Sequence, residues 1–149
     1  FPTRRSSDLA VLVCSPRLVP PEKTACSVWL SQQKLIHDDT PHPGANFPGW
    51  DEVLSTLNAP AAKESGLHIN STSAVILAAL SGRGVALVRH ALVKALISTE
   101  QLTQLHPDHR WPLTWSYYLV TPQHAVMRPE VRIFHDWLIA DIATESGAA

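Results

Sequence analysis

The sequence predicts an α/β fold, a mostly parallel sheet with helices on both faces. Three observations predict it. Residues Gly66–Val88, GLHINSTSAVILAALSGRGVALV, read as strand, hydroxyl-rich turn, apolar helix, glycine turn and strand. No proline lies between Pro60 and Pro107, so this block and its neighbours can hold uninterrupted regular structure. Near the end, Pro129 suits a first helical position, and Val131, Phe134, Leu138 and Ile142 recur at helical spacing.

The elements follow in order. Apolar and β-branched residues place strands near Ala10–Cys14, Lys34–His37, Leu67–Ile69, Val85–Val88, Leu102–Leu105 and Ser116–Thr121. Helices are expected near Thr24–Leu30, Trp50–Leu57, Thr72–Ser81, Ala91–Ile97 and Pro129–Ala143. Pro41, Pro43 and Pro48 mark a loop between Asp39 and Trp50. Asn70, Ser71, Thr72 and Ser73 are helix starters, because a side-chain oxygen can accept from a free amide of the first turn. Gly82 and Gly84 supply the stop. The tryptophans at 29, 50, 111, 115 and 137 read as core or loop anchors.

Composition bounds the function. The chain has 149 residues, 45% hydrophobic and 17% charged, enough for one domain with a real core. Its formal net charge is −1, and the adjacent basic pair Arg4–Arg5 forms no stripe that could track phosphates. The longest apolar run is far too short to span a bilayer. Cys14 and Cys26 are too few and too far apart for a zinc knuckle or a CxxC redox site, so they read as reduced thiols of a cytoplasmic protein.

Four segments in fixed order carry a family resemblance. They are VCSP at Val13–Pro16, LIHDD at Leu35–Asp39, INSTSAVILAALSGRGVALVRHALV from Ile69, and YYLVTP…RPEVRIFHDWL from Tyr117 to Leu138. Together they resemble the effector domain of LysR-type transcriptional regulators. LIHDD followed by a tryptophan-containing helix is most similar to the glycine-cleavage-activator subgroup. The resemblance covers roughly Ala10–Thr144.

It implies a type 2 periplasmic-binding-protein-like fold of two lobes. Ala10–Ser15 and Tyr117–Pro122 would be adjacent crossing strands. Lobe II would span about residues 16–116 and be nearly complete. Lobe I would be truncated, surviving as residues 10–15 and 117–149. Phe1–Leu9, FPTRRSSDL, does not resemble the family. It is similar to translated sequencing-adaptor read-through, or else a polar tail, and is set aside as a non-native or disordered leader. The helix-turn-helix and linker helix of such regulators have no counterpart here. DNA contact would come through that part alone, and the intact protein would be a homo-oligomer.

In open α/β sheets, ligands bind outside the carboxyl ends of the strands. That rule selects His37–Asp39, Asn70–Ser73 and Arg89–His90. The turn at Asn70–Ser73 has more polar side chains than capping needs. It reads either as a plain cap or as a small-anion site at a positive helix end. Asp38 or Asp39 could face an ammonium and Arg89 a carboxylate, which would suit an amino-acid-like effector. For Asp39 the plainer reading is a solvated loop, and for Arg89 and His90 a helix start on the surface. The resemblance adds Ser71 and Thr72 as effector contacts, with one of Tyr117 and Tyr118 turned to the cleft.

Other chemistry is excluded. His37-Asp38-Asp39-x-x-His42 lies in a stiff proline loop and reads as no metal site. No G-x-S-x-G elbow exists, and Gly82-Arg83-Gly84 follows a helix where a dinucleotide loop must precede one. The sequence therefore predicts no catalytic residues and no cofactor. The expected function is the small-molecule-sensing part of a transcriptional regulator, with a transporter's solute-binding module as the alternative.

Overall fold

The computed structural model describes residues 3–19, 27–40, 47–62, 66–122 and 128–146. The elements in chain order are β1 (Thr3–Cys14), a 3-10 turn at Pro16–Leu18, α1 (Ser27–Ser31), β2 (Leu35–Asp38), α2 (Trp50–Thr56) and β3 (Leu67–Ile69). They continue with α3 (Thr72–Leu80), β4 (Val85–Arg89), α4 (His90–Ser98), β5 (Thr103–Leu105), β6 (Trp111–Leu119) and α5 (Pro129–Ser146). Residues 24–26 of the first expected helix, Cys26 and His42 lie outside the described residues.

One sheet takes the order β3-β2-β4-β1-β5, with β6 paired to β1. β2 runs parallel to β3 and to β4. The links β2–α2–β3, β3–α3–β4 and β4–α4–β5 are crossovers, which is how parallel strands must be joined. β1 departs from this direction. It is antiparallel to both β4 and β5, so four strands point one way and β1 the other. The strand–helix alternation gives the direction of strands inside the crossover series, and β1 enters from outside it.

The described chain divides into two compact units, Asp8–Thr114 and Phe1–Ser7 with Trp115–Ala149. The chain passes between them twice, along β1 and along β6. The expected crossing strands are thus paired elements, although Ala10–Cys14 takes β4 and β5 as its own ladder partners. β1 also begins at Thr3, so residues set aside as a leader join a strand. The strand extends past the point where the sequence loses its apolar character.

In the larger unit, Val11, Val13, Ile36, Ala86 and Val88 from the sheet pack with Val75 and Ala79 of α3, Val93 of α4, and Leu102. The alternate residues Ala10, Leu12, Leu35, Val85 and Leu87 are buried as well, so both sheet faces are covered. Leu30 of α1 and Trp50, Val53 and Leu54 of α2 are also buried. Trp50 donates its indole N–H to the Ile36 carbonyl of β2 at 3.0 Å. Burying roughly ten such side chains, at about 1.5–3 kcal/mol each, gives this unit its core.

The smaller unit is different. Among its described residues no apolar side chain is fully buried. Phe134 is 57% exposed and Trp137 also 57%, with their ring centroids 5.9 Å apart. Phe134 therefore does not share a buried face with Val131 and Leu138, and Trp137 is not a core anchor. Residues 134 and 137 share a helix side with the exposed Ile133.

The helix stop after α3 is as the glycines predict. Gly82 has φ +73°; its amide bonds to Ala79 O and the Arg83 amide to Ala78 O, a Schellman closure. Gly84 serves a different need. The Lys34 carbonyl accepts from the Val85 amide at 2.9 Å, and a Cβ on Gly84 would collide with that carbonyl. Gly84→Ala should therefore push β4 off the start of β2 and cost about 2 kcal/mol or more. Urea unfolding checks this, and a loss below about 0.5 kcal/mol would contradict the close approach.

Candidate functional site

The site is built where the parallel strands end. Asp38 of β2 lies opposite Ile69 of β3, and the Ile36–Ala86 pairing puts Asp38 level with Val88 on β4. Successive strand residues point to opposite faces, which separates His37 from Asp38. Asp38 turns toward α3 and His37 toward α2.

On the α3 side, Thr72 Oγ1 donates to Asp38 Oδ2 at 2.6 Å, and the Thr40 amide donates to Asp38 Oδ1 at 3.0 Å. Thr72 is the first residue of α3 and Ser71 its N-cap. Ser71 makes no side-chain cap hydrogen bond, so the plain capping reading of that hydroxyl fails. Its carbonyl accepts from Val75 at 2.9 Å, which starts the helix ladder. Helix geometry leaves the first-turn amides without intrahelical partners. The positive end of α3 already faces one of the chain's own carboxylates, a favourable placement of about 0.3–1 kcal/mol.

On the α2 side, the imidazole rings of His37 and His68 are stacked, 4.3 Å apart and 10° from parallel. They are direct register partners on β2 and β3. His68 Nδ1 lies 3.0 Å from Asp39 Oδ2, so a proton on Nδ1 is donated to that carboxylate. Asp39 is exposed just past the end of β2, as a solvated loop residue would be, and its carboxylate meets His68. The His37 ring also meets Trp50 edge-on at 6.4 Å. Burial, then the neighbouring His68, hold the His37 pKa below its ordinary 6.5, against the pull of Asp39 and Asp51. A recess of about 120 Å³ opens here, lined among others by His37, Asp39, Phe47, Trp50 and Leu87. It is smaller than a typical ligand pocket and suits one end of a molecule.

Arg89 closes β4 as the N-cap of α4 and is 8% exposed, paired in register with Ala10 of β1. It already has an interaction of its own, so it is neither a surface helix start nor a free cation. His90 begins α4 and is half-buried. Asn70, Ser71, Thr72, Ser73, Asp38 and Arg89 thus share one edge of the larger unit. Tyr117 and Tyr118 belong to the smaller unit. Tyr118 is exposed, and the Tyr117 side chain lies outside the described residues.

Two features escape the sequence reading. His68 is hidden inside a three-residue strand, visible only once its register with His37 is known. The other lies after β5, whose Leu105 and the Leu87 of β4 both pair with Leu12. This puts His106 at the same edge. His106 Nε2 and Trp111 Nε1 are buried without a hydrogen-bond partner. The rule that selects the other strand ends would also select this one. Elsewhere the chemistry is quiet. Burial pushes the Cys14 thiol up to about 11, which keeps it protonated and inert. Among the described residues no group of three or more metal-ligating side chains assembles, and no helix is long and apolar enough to cross a membrane.

The LysR substrate binding domain profile matches residues 6–143. The chain belongs to that family. Its fold is periplasmic-binding-protein-like, and solved structures agree. The effector domain of the transcriptional regulator AmpR of Pseudomonas aeruginosa superposes with a TM-score of 0.70 at 19% identity, covering 99% of this chain and 67% of that one. The regulatory domain of CrgA, a LysR-type regulator from Neisseria meningitidis, gives 0.61 at 16% identity, covering 95% and 68%. The regulatory domain of AphB from Vibrio vulnificus gives 0.57 at 20%, covering 94% and 68%. A comparison with curated protein sequences finds no significant match.

The two hydroxyls should behave differently in this LysR domain. Thr72→Val removes a donor to a carboxylate and should cost about 1.5 kcal/mol of stability. Ser71→Ala removes no cap bond and should stay within about 0.5 kcal/mol of the parent. Equal losses in urea titrations would contradict the assignment.

Proposed function

We propose that this chain is the effector-sensing part of a LysR-type transcriptional regulator, and that the polar edge formed by Asp38, Asn70–Ser73 and their neighbours binds the effector. The family match over residues 6–143 carries this reading. The three structural relatives are effector or regulatory domains of regulators, which favours this class over a transporter module.

The chemistry of the edge favours a zwitterionic, amino-acid-like effector. Its ammonium would meet the Asp38 carboxylate, and its carboxylate the spare amides and hydroxyls of Ser71 and Ser73. Arg89 would act from beneath as a fixed positive charge. The domain would comprise a nearly complete lobe II (residues 16–116) and a truncated lobe I, and Tyr117 or Tyr118 would add an aromatic effector contact. Effector binding regulates only if it favours one lobe arrangement over another.

In the whole regulator, a cytoplasmic homo-oligomer, DNA contact would come from a helix-turn-helix outside these residues. The glycine-cleavage-activator subgroup is the reading of LIHDD and the tryptophan helix after it, and read-through that of Phe1–Leu9, of which Thr3–Leu9 lie in β1 and residues 6–9 inside the family match. No residue is assigned a catalytic role.

A reporter assay with the full-length regulator tests the site. Ser71→Ala should raise the effector concentration for half-maximal response about 10-fold, the loss of one hydrogen bond to a charged group. Unchanged response would remove Ser71 from the effector site. The purified 149-residue chain should give no sequence-selective retardation in a gel-shift titration at moderate salt.

A further inference from the structure

We propose that the stacked His37–His68 pair is a proton-sensitive latch on the effector turn. In it, acidification loosens β3 from β2 and so displaces the start of α3.

The geometry assembles the parts. The two rings lie face to face at 4.3 Å because His37 and His68 are register partners on adjacent parallel strands. A positive charge on both rings of such a stack is disfavoured, since like charges at that spacing repel. Asp39 Oδ2 lies 3.0 Å from His68 Nδ1 and ties that ring to the end of β2. A proton taken up by His37 would place a charge against His68, on a ring that Trp50 meets edge-on and the backbone of Gly66 approaches closely. A Cβ at Gly66 would strike the His37 ring, so the ring has no room to slide away on that side. The charged and titratable groups acting on His37 are Asp39 from its own strand end, His68 from β3 and Asp51 from α2.

The element that yields is β3. It is three residues long and, among the described strands, forms the edge of the sheet with β2 as its one partner. Its carbonyl at Ile69 accepts from the Asp39 amide at 2.8 Å, and the next residues are Asn70, Ser71 and Thr72. A shift of β3 therefore moves the N-cap of α3 and strains the 2.6 Å bond from Thr72 to Asp38. The direction of the linkage supports this. The His37 pKa is lowered in the fold, so below 6.5 the unfolded chain takes up a proton that the folded chain declines. The contribution to stability is full above 6.5 and is lost as pH falls through the lowered value.

The regulatory meaning rests on the effector reading above, but the latch can be tested without an effector. Amide and imidazole NMR signals of the 149-residue chain would be followed from about pH 7.5 down to about pH 4.5, a range that brackets the ordinary histidine pKa. The amides of Asn70, Ser71 and Thr72 should titrate together with the His37 ring, with one shared midpoint below 6.5. His68→Phe keeps a stacked ring without the second charge, and should move the midpoint of His37 up and flatten the response of the turn. His37→Phe should abolish the response while a thermal melt at neutral pH reports that the fold persists. Turn amides that do not titrate above about pH 5, or that titrate unchanged in both variants, would overturn the latch. That outcome would leave the effector reading standing, since the Ser71→Ala response tests it separately.

Discussion

β1 is the constraint on which the larger unit depends. Residues Ala10–Cys14 are all buried; Ala10–Val13 pair with β4 and Leu12–Cys14 with β5, so the strand is held on both edges where the two ladders overlap. The crossover series β2 to β5 could not close into one sheet without it, because β4 and β5 are not neighbours. β1 fills the gap with antiparallel ladders and contributes apolar side chains to both faces. It also fixes the levels of strand ends that share no hydrogen bonds. Leu87 and Leu105 stand level because both pair with Leu12. The polar edge exists because several strands terminate together above a core that β1 holds in register.

Charge is distributed on that edge by parity. Neighbours on β2 face opposite ways, so one short sequence, His37–Asp38, serves two environments. Asp38 sits at the start of α3, held by Thr72 and the Thr40 amide. His37 stacks on His68 above α2. A carboxylate at a helix start changes what the helix can bind. A simple anion would compete with Asp38, whereas a ligand carrying both charges is served by carboxylate and amides together. The polar surplus at Asn70–Ser73 is therefore divided. Thr72 is committed to the fold, and Ser71 makes no cap bond.

Much of this is legible in the sequence. The block Gly66–Val88 folds as read, down to the Gly82 stop, because its signals are local: hydroxyl starters, an apolar run and a glycine at positive φ. The strand-end rule finds Asp38 and Arg89 for the same reason. What stays hidden depends on pairing between distant segments. The antiparallel sense of β1, the pairing of Arg89 with Ala10 and the meeting of His37 with His68 need register, which composition does not encode. Trp111–Leu113 gives no strand signal because Pro112 interrupts it, yet proline is tolerated near a strand's first residue. Helical spacing puts Phe134 on the wrong side of α5. That helix carries apolar residues on more than one side, so spacing alone cannot select the packed face.

Backbone amide hydrogen exchange tests the central claim most directly, namely that a polar edge is carried on a core organised by β1. The amides of Val11, Leu12 and Val13 should exchange as slowly as those of Val85 and Leu87 on β4, because all of them open only with the sheet. The amides of Thr72, Ser73 and Ala74, at the start of α3, should exchange far faster. Exchange of β1 well before β4 would mean that the sheet holds without it, which contradicts a core organised by that strand.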